Sequence, residues 1–101
     1  MEPSGQLALV ELEVLLSQYL ESYTQTGSLE AIKSNIAAHI HDLLGAGMPK
    51  LMNFMYLVDV KEELFKTTLA NTIESEWPKV LTRLVIERLL EKVYTRLQNR
   101  K

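Results

Sequence analysis

From Lys79 to Asn99 the chain holds neither glycine nor proline, and Pro78 stands where a helix tolerates it, in the first turn. This stretch predicts one helix of roughly 20 residues, about 30 Å long at 1.5 Å per residue. Its apolar side does not keep one direction when successive residues are set about 100° apart. Leu81, Leu84 and Val85, preceded by Trp77, share one side; Ile86, Leu90, Val93 and Leu97 lie on another, with Leu89 bridging the two. Arg88, Lys92, Arg96 and Arg100 continue the first side as a basic row at three- and four-residue steps. Such a helix touches two different things. Either both are helices of its own chain, or its second half seals a dimer.

The preceding residues predict shorter helices that pack onto it. Leu9, Leu12, Leu16, Tyr19 and Tyr23 recur at three- and four-residue steps, a first helix from Ser4 or Gly5 to about Tyr23. Glu11, Glu13, Gln18 and Glu21 fall on its polar side. Gly27 suits a turn with positive φ, and Ser28 caps a second helix whose apolar face is Leu29, Ile32, Ile36, Ile40 and Leu43. Gly45-Ala46-Gly47 ends it, and Pro49 opens a short third helix over roughly 48–57. That segment, with Met48, Leu51, Met52, Phe54, Met55 and Tyr56, is apolar nearly all round, which suits a central core element or a soft interface. Asp59 and Glu62 have the spacing of a capping box for a fourth helix with Val60, Leu64, Phe65, Leu69 and Ile73 inward. This helix is expected to fray from Asn71 to Glu76, and the proline after Trp77 is expected to hold that residue extended. The expected fold is all-α: a compact bundle of four main helices plus one short helix, one domain over 1–101, closed by the long C-terminal helix.

With 47% hydrophobic and 24% charged residues the chain is ordinary globular material. No apolar run approaches the roughly 18 residues of a membrane-spanning helix. Met1-Glu2-Pro3-Ser4-Gly5 lacks the positive start of a signal peptide, and there is no cysteine, so a cytoplasmic protein is expected. The net charge of −2 hides an asymmetry. Residues 79–101 hold seven of the eleven basic side chains against Glu87 and Glu91, a balance of +5, which leaves −7 on the first 78 residues. Opposite signs in two parts of a chain are satisfied inside a monomer or between subunits.

Motifs that carry chemistry are few. His39 and His41 point about 200° apart on a helix and do not converge on one ion. His39 falls on the stripe of Ile32, Ile36 and Leu43, as a core histidine does. Glu62 and Glu63, and Glu74 and Glu76, sit at helix ends, where capping or solvation is the ordinary role. No serine has a visible base partner, and Gly45 and Gly47 lack the strand and third glycine of a dinucleotide loop. No catalysis, cofactor or metal is therefore expected. A helix-turn-helix remains as an alternative, with 59–73 and 78–97 as its two helices and Lys79, Arg83 and Arg88 meeting DNA or RNA.

Met55-Tyr56-Leu57-Val58-Asp59-Val60, then Glu62, then Val85-Ile86-Glu87-Arg88 resemble stretches of a set of small all-helical bacterial proteins to which no activity is assigned. The resemblance covers roughly residues 28–97. It implies a compact helical fold and transfers no catalytic or binding residue.

The function these readings predict is that of a non-catalytic interaction or scaffold protein, a homodimer or the partner of another protein. The association surface is expected at Ile86, Leu90, Val93, Tyr94 and Leu97, bordered by Arg88, Lys92, Arg96 and Arg100. A small nucleic-acid-binding regulator that uses the same basic row is the alternative, and no membrane partner is expected.

Overall fold

A computed structural model describes residues 5–20 and 23–99. Ser4 as a helix start, Glu21 on the polar side and Arg100 in the basic row lie outside the described residues. Among the described residues five α-helices follow one another: α1 (Gly5–Leu16), α2 (Leu29–Ala46), α3 (Met48–Val58), α4 (Glu62–Ala70) and α5 (Trp77–Asn99). A 3-10 turn, Glu74–Glu76, leads into α5, and no strand occurs among the described residues. The fold is all-α, as its periodicity predicts. The shortest helix is α4, with 9 residues, rather than α3, with 11.

α5 is the element on which the others pack: α1, α2, α3 and α4 all contact it. Its 23 residues make a rod of about 35 Å. The molecule measures 41 × 27 × 20 Å, so a rod of that length fits only along the long dimension. Leu81, Leu84, Val85, Ile86, Leu89 and Val93 are all buried along it. The drift of its apolar side is thus absorbed by different helices of the same chain. α2 contributes Ile32, Ile36 and Ile40, one per turn and each fully buried, worth about 1.5–3 kcal/mol apiece in burial alone.

α1 stops at Leu16, seven residues short of the expected end. The cause is Glu13, expected on a polar face but only 3% exposed. Its carboxylate accepts from the Tyr23 hydroxyl at 2.5 Å, the Thr26 N–H at 2.8 Å and hydroxyl at 3.2 Å, and the Gly27 N–H at 2.9 Å. A continuous helix to Tyr23 would carry these donors away from it. Gly27 holds φ 70°, and Ser28 caps α2 by accepting from the Ala31 N–H at 3.3 Å.

Asp59 does not cap α4. It closes α3 in the left-handed region, at φ 72°. Its N–H bonds the Tyr56 carbonyl and the Val60 N–H bonds the Met55 carbonyl, each at 3.0 Å. That is the Schellman arrangement, with Met55 and Val60 buried together. Glu62 does not reach back either: it takes the Tyr56 hydroxyl and, at 2.6 Å, the Lys66 ammonium. The N-cap of α4 is Lys61, without a side-chain hydrogen bond. Trp77 is helical, not extended, because the 3-10 turn runs straight into α5 and the indole N–H bonds the Thr72 carbonyl at 2.9 Å. Leu64 and Ile73, expected inward, are exposed, since the nine-residue α4 buries only Phe65 and Leu69. α3 buries one face (Leu51, Phe54, Met55, Val58) and leaves Tyr56 and Leu57 outside.

Candidate interaction groove

The five residues expected to form one association surface are divided by the fold. Ile86 and Val93 are buried in the chain's own core, and Leu90 and Leu97 are partly buried against it. Tyr94 alone is exposed. The basic row is largely engaged as well. Arg88 donates from Nε to the Asp59 carbonyl at 3.0 Å and from Nη2 to the Asp59 carboxylate at 2.8 Å, and lies 3.4 Å from Glu91. Arg88 holds the Asp59 carboxyl below its ordinary value, chiefly through that hydrogen bond. Lys92 donates to the Tyr19 hydroxyl at 3.2 Å, with its ammonium 5.6 Å from the ring centre. Arg96 is exposed.

Concave surface forms elsewhere. One turn into α5, Pro78, Lys79, Thr82, Arg83 and Ile86 face Lys33, Ser34 and Ala37 of α2 across an open groove of about 590 Å³. Buried Thr82 and Ile86 with part-buried Ala37 and Pro78 give it an apolar floor. Thr82 adds its methyl group, since its hydroxyl bonds the Pro78 carbonyl at 2.6 Å. Lys33, Lys79 and Arg83 stand on the rim with one acid, Glu87. Lys33 reaches Glu30 at 3.6 Å, an exposed pair of the kind that contributes little. Lys79 and Arg83 form no ion pair or hydrogen bond with any described side chain. The result is an apolar trough edged by three cations, two of them unpaired among the described residues.

No family model, curated protein or solved structure matches this chain. The stretches that carry the resemblance noted above, 55–60, Glu62 and 85–88, meet in space through the Tyr56–Glu62 and Asp59–Arg88 contacts. They brace the α3–α4 corner against α5 and lie apart from the groove floor, Ile86 excepted.

His39 packs edge-on against Phe54, with ring centres 4.8 Å apart. Burial lowers its pKa, and Asp42 opposes this only in part. His41 is exposed. Among the described residues no three His, Asp or Glu side chains are grouped to hold a metal, and no helix is long and apolar enough to cross a membrane.

In the sequence Lys79 and Arg83 point only to a helix-turn-helix, and nothing places Lys33. The local signal was there: Lys79, Arg83 and Glu87 repeat at four-residue spacing beside Pro78, Thr82 and Ile86. Its partner across the groove lies more than forty residues earlier, and no periodicity joins the two.

Proposed function

We propose that the protein is a non-catalytic, cytoplasmic interaction module whose α2–α5 groove receives an acidic, amphipathic segment of a protein partner. The observation that supports this reading is the pairing of an apolar floor with Lys33, Lys79 and Arg83 on the rim, two of them without an ion pair to any described residue. An apolar anchor on the floor would supply most of the affinity, and carboxylates meeting the rim would set orientation and speed association. Self-association through an Ile86–Leu97 seam is disfavoured, because Val93 is fully buried in the chain's own core and Leu90 and Leu97 already pack against it.

A nucleic-acid role loses support for a similar reason. Arg88 and Lys92 are engaged inside the chain, which leaves Arg96 as the exposed described member of the row.

Trp77, next to Pro78 at the groove and unique in the chain, serves as the probe. An amphipathic leucine–glutamate helical peptide is expected to shift its emission in low salt, and a leucine–lysine counterpart is not. The shift should shrink with added salt and in K79E/R83E. Equal responses to both peptides, or a response only to duplex DNA, would overturn the proposal.

A further inference from the structure

Ile73 is the most exposed large apolar side chain among the described residues, at 70%. It is also firmly held. Its carbonyl accepts the Glu76 N–H at 2.9 Å, and the neighbouring Thr72 carbonyl accepts the Trp77 indole N–H at 2.9 Å. The indole itself packs against the core. An isoleucine fixed in this way is a preformed knob that loses little freedom on docking. Glu74 and Glu76 follow it, both exposed and without an ion pair to any described residue. Ser75 between them lines the groove, so knob and groove are contiguous.

Resting on the reading of the groove given above, we infer that its occupant is the Ile73–Glu76 segment of a second copy of this chain, exchanged reciprocally about a two-fold axis. A two-fold interface uses the same patch on both subunits, so each contact is made twice. Because the knob borders the groove, an axis near Ser75 brings each Ile73 to the other copy's Ala37, Pro78 and Ile86. The same approach sets Glu74 and Glu76 against Lys79 and Arg83, the two rim cations without an ion pair to any described residue. A groove of about 590 Å³ falls among sites that bury whole small ligands, roughly 300–1,000 Å³, and holds one isoleucine without rearrangement. The acidic and basic parts of the chain are then satisfied between subunits. The patch is small, which makes the dimer concentration-dependent rather than obligate.

Light scattering on a sizing column over a range of concentrations tests this with the full chain. Wild-type mass is expected to rise from one chain to two, and I73E to weaken association about tenfold or more. K79E/R83E makes groove and knob both acidic; E74K/E76K makes both basic. Each variant alone is expected to stay monomeric, with wild-type helicity by circular dichroism, since all four positions are exposed. Mixed in equal amounts, they should dimerise, because each groove then meets a knob of opposite charge. A wild-type protein that stays monomeric at every concentration would overturn the inference, as would a dimer indifferent to I73E and to both charge reversals. If monomeric wild-type protein still responds through Trp77 to the acidic peptide, the groove reading stands and only its self-occupancy falls.

Discussion

The Arg88 guanidinium meets Asp59 twice, at the carbonyl at 3.0 Å and the carboxylate at 2.8 Å, across 29 residues of sequence. This contact joins the α3–α4 corner to α5 at the point where the backbone turns left-handed. Asp59 thus does two jobs, holding a positive φ and receiving the arginine. The two separate by mutation. Asp59→Ala loses the ion pair and keeps a side chain that resists φ 72°, whereas Asp59→Gly loses the pair but relaxes the backbone. Thermal melts should rank wild type above Asp59→Gly, and Asp59→Gly above Asp59→Ala. An alanine variant more stable than the glycine variant would contradict the left-handed cap.

Glu13 should dominate acid unfolding. Burial works against its charge, but Tyr23, the Thr26 and Gly27 N–H groups and the Thr26 hydroxyl outweigh it and hold the carboxyl below its ordinary 4.5. A carboxyl lowered by folding contributes stability that is complete above about 4.5 and is lost as pH falls through the folded value. Urea melts between neutral pH and about pH 3 should therefore show falling stability. Glu13→Gln should flatten that slope, and Glu13→Ala, which leaves several donors without an acceptor, should lose on the order of 2–4 kcal/mol.

Tyr23 gives the alkaline counterpart. Burial first, and then the Glu13 carboxylate, push its hydroxyl from 10.0 up to about 12. The folded chain holds this proton more tightly, so stability falls as pH rises from about 10 to about 12. Tyr23→Phe should lose that alkaline slope in the same urea melts. An unchanged slope would place the titration elsewhere.

Gly27 isolates a backbone effect. Nothing lies within 4 Å of where a Cβ would stand, so Gly27→Ala meets no clash. Its φ of 70° still costs an alanine about 1–2 kcal/mol, a loss that equilibrium denaturation resolves.

The core provides a scale for these effects. Ile36 is fully buried on α2, and Ile36→Ala should cost about 2–5 kcal/mol in the same assay. A smaller loss would mean that α2 does not pack as tightly on α5 as the structure has it.

Much of the architecture was legible in the residues alone. Helix content, the ends of α2 and α3, the Ser28 cap, positive φ at Gly27 and the length of α5 all follow from local rules. Three- and four-residue apolar repeats, a hydroxyl at an N-cap, and proline and glycine at helix borders act within a turn or two of chain. The candidate site was not legible in this way. Lys33 and Arg83 lie fifty residues apart in sequence, and only the crossing of α2 over α5 makes them two edges of one groove.

What the sequence determined by itself is therefore an all-α chain hung on a long C-terminal helix, since helix formation answers to neighbours a few residues away. Tertiary structure decided which side chains were enclosed and which polar groups met. It buried Glu13 under the 23–27 loop, brought Arg88 onto Asp59, drew Ile86 and Val93 into the core, and left Ile73 and Leu64 outside. Burial and ion pairing are settled by segments distant in sequence but adjacent in space. A single-helix projection shows that an apolar side exists; what covers it depends on the other helices.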